Sequence, residues 1–298
     1  ANSTIAYKGS GAFTGLAAGN NYENLSFNGQ NASWNLTGDL NVAKTMTVGQ
    51  GNWIYAQDNN IQSNSLNNSG SIVMRDGELS IVSPVKTGSF EFTNPRIIPK
   101  YNYDGLKISS VGEYAIDNVN VGKLILNSDS VLFADNGITV QALEGSGMIK
   151  TANDGSAISL PSSANVTFTS NASKLSGSYA RLVLTDGAKA SGNIAADSLE
   201  LSGVLDMGSN ALNADQLTNN GSIEVSTGDV SGIAEGQVGN FVFKGANTIP
   251  GRIYKTLTID ALGSVLNLGG PVSSETVDIR AGSLDLAGKN ISSLYGLT

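Results

Sequence analysis

The 298-residue chain contains neither cysteine nor histidine. The first absence removes disulfides, thiolate metal sites and cysteine nucleophiles. The second removes the Ser-His-Asp triad, imidazole metal ligation and the commonest general base. Charge is scarce too, at 14% Asp, Glu, Lys and Arg, against about a quarter in an ordinary globular chain. Its balance is acidic, with 25 acidic against 17 basic residues and a formal net charge of −8. With no long basic run, there is no electrostatic basis for binding nucleic acid or an anionic membrane. No stretch approaches the ~20 consecutive apolar residues that span a bilayer, so membrane insertion by this segment is not expected. The N-terminal Ala1-Asn2-Ser3-Thr4 lacks the basic start and apolar run of a signal peptide.

Hydrophobic residues make up 40% of the chain, enough for a core, and glycine occurs 36 times while proline occurs only 6 times. Polarity is carried by Asn, Ser, Thr and Gly. These residues close turns, through side-chain to backbone hydrogen bonds or by tolerating left-handed backbone angles, and a chain of many short strands needs them in quantity.

Three landmarks recur in fixed order. The element Tyr-x-x-Leu-x-(apolar) begins at Tyr22, Tyr103, Tyr179 and Tyr254, spaced 81, 76 and 75 residues. Each is preceded by an alternating strand with an aromatic end, at Tyr7, Phe92, Phe168 and Phe243. A third element, Leu-x-x-x-Gly-x-Ile, starts at Leu66, Leu143 and Leu217. Together they divide the chain into repeats at about 5–89, 90–165, 166–240 and an incomplete 241–298. Another period from Leu217 leads to about Leu294, so a longer parent protein, or a neighbouring subunit over the last coil, is expected.

Within each repeat apolar residues alternate singly with polar ones, as in Lys123-Leu-Ile-Leu126 and Thr276-Val-Asp-Ile279, which is the period of a half-buried strand. No capped i, i+3, i+4 pattern calls for a helix. Turn-forming pairs such as Asp154-Gly155 and Asp186-Gly187 separate the runs. Of the all-β architectures, a solenoid accounts most simply for the long period, as about three coils of about 25 residues per repeat. The expected fold is therefore all-β: a single continuous right-handed parallel β-helix (β-solenoid) of about 75-residue repeats, its equivalent Leu, Ile, Val and Phe residues stacked in internal columns. Tandem β-sandwich modules are the alternative, although ~75 residues is short for one.

The aromatic-ended strand, the Tyr-x-x-Leu-x-(apolar) element, the Asn/Gly-spaced strands and the Leu-x-x-x-Gly-x-Ile element resemble the β-helical repeats of large bacterial surface exoproteins, namely autotransporter passengers and filamentous-haemagglutinin-type adhesins. The resemblance covers most of the chain but carries no active-site motif. It implies export to the cell surface, a filamentous form, and a structural or adhesive role in adhesion, aggregation or surface coating. Partners would be glycans or proteins of a host or neighbouring cell, or copies of the chain itself.

An enzyme is not the expected reading. Two carboxylates suffice for glycoside chemistry, however, so a β-helix polysaccharide lyase, hydrolase or tailspike-like protein stands as one alternative and a self-assembling filament or surface-layer subunit as another. No cofactor is expected; the oxygen-rich turns Asp135-Asn136-Gly137 and Asn153-Asp154-Gly155 could hold calcium, but neither an EF-hand nor a glycine-rich nonapeptide is present. The most distinctive patch is Trp34, Trp53 and Tyr55 in the first repeat, where later repeats carry smaller residues. These rings either cap the first coils or contact a glycan. The segment Asn94-Pro-Arg-Ile-Ile-Pro-Lys-Tyr101 is expected to project as a loop, which adds Arg96 and Tyr101 to the candidate contact residues.

Overall fold

The computed structural model describes residues 3–17, 19–95, 97–116, 118–127, 129–155, 157–236, 238–245 and 248–293, with the backbone alone at residues 84–87. Among these residues there is no helix, and parallel strands pair each winding with the next, as a β-solenoid requires. The chain divides into two compact units, Ala1–Ile149 with Ser159–Pro161, and Lys150–Ile158 with Ser162–Thr298.

In the first unit, a single winding presents three short inward-facing groups: Leu40 with Val42, Met46 with Val48, and Ile54 with Ala56, all buried. The next winding repeats them, because Leu40 pairs with Ile61, Met46 with Leu66, and Ile54 with Ile72. The strand Ile61–Met74 bends round a corner to serve two faces, pairing first with Leu40–Val48 and then with Trp53–Gln57. Its burial alternates residue by residue except at Asn64-Ser65, so the period of two read in the sequence is the wall of the coil. Each Leu, Ile or Phe withdrawn into such a column contributes about 1.5–3 kcal/mol relative to exposure.

Two of the landmarks prove to be adjacent rungs. Ile5 and Tyr7 pair with Leu25 and Phe27, Phe90 and Phe92 with Leu106 and Ile108, Val166 and Phe168 with Leu182 and Leu184, and Phe241 and Phe243 with Leu257 and Ile259. The recurring tyrosine is buried in all four copies. Its hydroxyl donates to a carbonyl three or four residues back: Gly19 for Tyr22, Pro99 for Tyr103 at 2.5 Å, Ser176 for Tyr179 at 2.7 Å, and Pro250 for Tyr254 at 2.8 Å. The tyrosine thus ties the loop entering the strand to the strand itself and satisfies a polar group that folding would otherwise strand.

The windings are shorter than the sequence suggested. Leu25 pairs with Met46, Met46 with Leu66, Ile72 with Phe90 and Phe90 with Leu106, so a turn takes 16 to 21 residues. Within a unit, four turns, not three, separate one landmark leucine from the next, and the leucines do not share a column. Leu25 stacks on Met46 and Leu66, whereas Leu106 belongs to the column of Ile54, Ile72 and Phe90 on the neighbouring face. The second unit does the same: Leu182 stacks on Leu199 and Leu217, but Leu257 on Phe241, Ile223 and Leu205. Successive windings thus stack their apolar residues in internal columns as expected, but the matching landmark leucines of successive repeats do not fall in one column. Within each unit the repeat returns advanced by one face, since its length exceeds four turns by about one side of the coil.

The third landmark is the corner at which that advance is made. Leu66 and Leu217 end one face, while Ile72 and Ile223 begin the next. A Cβ on the intervening Gly70 would collide with the carbonyls of Asn52 and Gly49, and one on Gly221 with Gly203; the corner is packed directly on the backbone of the preceding turn. Buried asparagines complete it, Asn68 donating to the Ser89 carbonyl at 3.2 Å and Asn219 to that of Asn240 at 3.0 Å.

Candidate functional site

The strand Trp53–Gln57 sends Ile54 and Ala56 into the core and leaves Trp53 and Tyr55 on the outer wall of the first unit. Register carries that wall across five windings. Trp53 lies beside Ser71, then Ser89, Gly105 and Lys123, while the parallel row runs Tyr55, Val73, Glu91, Lys107 and Ile125. At about 4.8 Å per rung the first row extends about 19 Å. Between the rings at one end and the lysines at the other is a groove of about 330 Å³, at the small end of ligand pockets, which run from about 300 to 1,000 Å³. Its floor is low because Ser71, Ser89 and Gly105 are small; a Cβ at Gly105 would come to 2.8 Å from Ser89 Oγ.

The charges of the groove are matched. Lys107 Nζ lies 2.9 Å from Glu91 Oε1, and Lys123 Nζ 2.7 Å from Glu144 Oε1. Glu91 also accepts from the Ser109 hydroxyl. Similar pairs join adjacent windings elsewhere, as in Lys44–Glu23 at 2.6 Å and Arg181–Glu200 at 2.8 Å. Exposed as they are, such pairs contribute little stability, but they fix the direction of the side chains.

The ring cluster anticipated from the sequence is split by the wall. Trp53 is 37% exposed and Tyr55 half-buried, but Trp34 is only 2% exposed. Trp34 pairs with Ile54 and so points inward, stacked on Phe13 at 5.6 Å and tilted against Phe27 at 5.0 Å. It belongs to the packing of the first windings, not to the outer patch. Tyr101 is also held apart from the groove. Its hydroxyl accepts from the Ile81 amide at 2.7 Å and donates to the Ile81 carbonyl at 3.2 Å. The loop before it exposes Ile97 but buries Ile98, so it is drawn back onto the body and does not simply project. Arg96, like Leu294 and the residues after it, lies outside the described residues.

What the sequence reading missed is the small and charged part of the groove. A signal was present in the repeat itself: the position of Gly105 in Tyr-x-x-Leu is Asn24, Arg181 and Thr256 in the other copies. The trench exists where the repeat departs from its own pattern.

A larger cavity, about 580 Å³, lies in the second unit beside Arg252. The guanidinium donates to the carbonyls of Val230 at 3.4 Å and Ala234 at 3.2 Å and stands 5.6 Å from the centre of the Phe241 ring. Burial lowers its pKa from the ordinary arginine value. Arg252 thus fastens the irregular segment around Val230–Ala234 to the coil. Asp229 and Glu235 stand on the rim. On another wall of this unit, Asp197 and Asp215 occupy neighbouring rungs, flanked by the paired Ala196–Ala214 and Ser198–Gln216. The exposed aromatic rings of the groove and these acids belong to different units.

For calcium, no group of three or more acidic side chains suited to a metal is found among the described residues. In the turn at Asn153, its side-chain Oδ1 accepts from the amides of Gly155 at 3.0 Å and Ala157 at 3.3 Å, while Asp154 faces Lys174 at 3.4 Å. No helix among the described residues is long and apolar enough to cross a membrane.

No protein-family model, curated protein or solved structure matches the chain. What the wall can do chemically therefore follows from its own residues.

Proposed function

We propose that this chain is a stiff β-solenoid module of an exported cell-surface or extracellular protein, serving adhesion, aggregation or surface coating rather than catalysis. One observation carries the proposal: the residues that the sequence repeats are all used to build and stack the windings. The tyrosine hydroxyls tie corners, the aromatic-ended strands supply rungs, and the corner glycines admit the backbone of the previous turn. Selection for that pattern is selection for a scaffold, and it leaves the outer walls free to vary, as they do at Trp53, Tyr55 and Gly105. The resemblance to autotransporter passengers and filamentous-haemagglutinin-type adhesins supports the same reading, as does a composition low in charge and rich in turn formers.

The test is to coat beads with the purified chain and measure their attachment to cultured cells and to one another, beside beads coated with an unrelated β-solenoid. Attachment or clumping above that control is the expected result. Release of new reducing ends or unsaturated sugars from a polysaccharide library would instead assign an enzyme, and filaments growing from purified protein under the electron microscope would assign an assembling subunit.

A further inference from the structure

We propose that the groove between Trp53 and Lys123 binds an uncharged oligosaccharide. The proposal rests on the surface-module reading and names the ligand class that such a module would recognise.

A flat aromatic ring at the edge of a shallow trench offers an apolar face of the kind that the C–H face of a sugar ring covers, and Trp53 presents it to solvent at 37% exposure. Beyond the ring come polar groups suited to hydroxyls. Ser71 and Ser89 each both donate and accept, Glu91 accepts through two oxygens, and Lys107 donates. Because Glu91 and Lys107 lie side by side at 2.9 Å, two neighbouring sugar hydroxyls can bridge them, one donating to the carboxylate and one accepting from the ammonium, in charge-assisted hydrogen bonds. An ion pair that remains paired after binding loses less solvation than a lone charge buried against a ligand.

The same pairing argues against an acidic ligand. Lys107 and Lys123 already face Glu91 and Glu144, so the groove offers no surplus positive charge, and the chain as a whole carries −8. An extended peptide is disfavoured for another reason. The strands flooring the groove are paired on both sides, from Trp53–Gln57 through Tyr103–Ile108, and so provide no open edge for strand addition. The row of about 19 Å suits a linear ligand lying along the stacking direction, with successive rings over successive rungs. Gly105 keeps the trench open at its middle, where the other repeats carry Asn24, Arg181 and Thr256.

The experiment uses the whole chain on an array of neutral oligosaccharides, with sialylated and uronic-acid glycans beside them. Neutral hits are then titrated by tryptophan fluorescence, since the chain has only two tryptophans and Trp34 is buried. We expect at least one neutral oligosaccharide to bind and perturb the fluorescence. Trp53→Ala, and independently Gly105→Thr, which fills the trench, should each weaken that binding at least about tenfold while leaving the melting temperature near that of the parent. Binding confined to acidic glycans, binding unchanged in both variants, or no neutral hit on the array would overturn the proposal. Bead attachment separates the two levels: if attachment persists without a neutral glycan hit, only the ligand class fails, whereas loss of attachment by the parent chain removes the surface-module reading itself.

Discussion

Tyr254 stands edge-on to Phe241, with ring centroids 5.3 Å apart and planes at 81°, while its hydroxyl donates to the Pro250 carbonyl at 2.8 Å. Tyr103 repeats the arrangement against Phe90 at 5.5 Å and 76°, with Pro99 as its acceptor. Ring and hydroxyl have separate tasks here, one filling the core and the other closing the loop. Tyr254→Phe keeps the first and removes the second, so it should cost about 1 kcal/mol, whereas Tyr254→Ala should cost about 3–5 kcal/mol through the cavity it opens. Urea denaturation of both variants measures the difference; equal losses would show that the hydroxyl carries the whole effect.

Burial pushes the Tyr179 hydroxyl up to about 12, and the same cause raises Tyr103 and Tyr254. A tyrosine is charged when deprotonated, so a raised folded pKa means that its stabilisation is complete below the unfolded value of about 10 and is lost as pH rises through about 12. Phenolate absorbance should therefore show Tyr179 among the tyrosines that ionise late, and Tyr179→Phe should reduce that late wave by one tyrosine. Ionisation of Tyr179 at the ordinary tyrosine pH in a chain that is still folded would contradict its burial.

Glu23 gives the opposite dependence. Its carboxylate accepts from Lys44 Nζ at 2.6 Å, from the Ser3 amide at 2.8 Å and from Ser3 Oγ at 3.0 Å, and these contacts lower its pKa to about 2, the Lys44 hydrogen bond contributing most. Its folded pKa is depressed, so this contribution is present above the unfolded value of about 4.3 and is lost as pH falls through about 2. A carboxyl-carbon NMR titration should find Glu23 still ionised at pH values where exposed glutamates have been protonated, and Lys44→Met should move its midpoint upward.

The corner glycines should be intolerant of any side chain. Gly221→Ala drives a methyl into the Gly203 backbone, where neither partner is a flexible side chain able to step aside. A loss of about 2 kcal/mol or more is expected, with Gly70→Ala behaving alike against Asn52 and Gly49. Thermal melts of the two variants check it; melting as in the parent chain would mean that the turns can separate at that corner.

The two tryptophans should part company in the same assay. Trp34→Ala opens the core beside Phe13 and Phe27 and should cost about 3–5 kcal/mol. Trp53→Ala trims an outer wall and should stay within about 0.5 kcal/mol of the parent.

Strand identity, the absence of helix among the described residues and the positions of repeated corners were legible in the chain, because alternation, turn residues and landmark spacing are properties of neighbours in sequence. Alternation over Trp53, Ile54 and Tyr55 shows that the two rings share a side; which side, and that Trp34 takes the other, depends on the pairing of Trp34 with Ile54. That pairing passes through corners and register shifts, such as the one between Val42 and Thr45, where counting residues no longer tracks direction. The turn length escaped the sequence for a related reason: a period near 75 residues divides into turns in more than one way, and only the register of paired strands, such as Met46 on Leu66 and Phe90 on Leu106, decides for four turns and a face. The groove is further still from local pattern, since Trp53, Ser71, Ser89, Gly105 and Lys123 are brought into one row only by the register of five windings. Sequence alone determined that this chain coils and where it bends, because those are short-range matters of sterics and hydrogen bonding; tertiary structure decided what the coil displays, because a surface is made of residues that meet only after the windings have stacked.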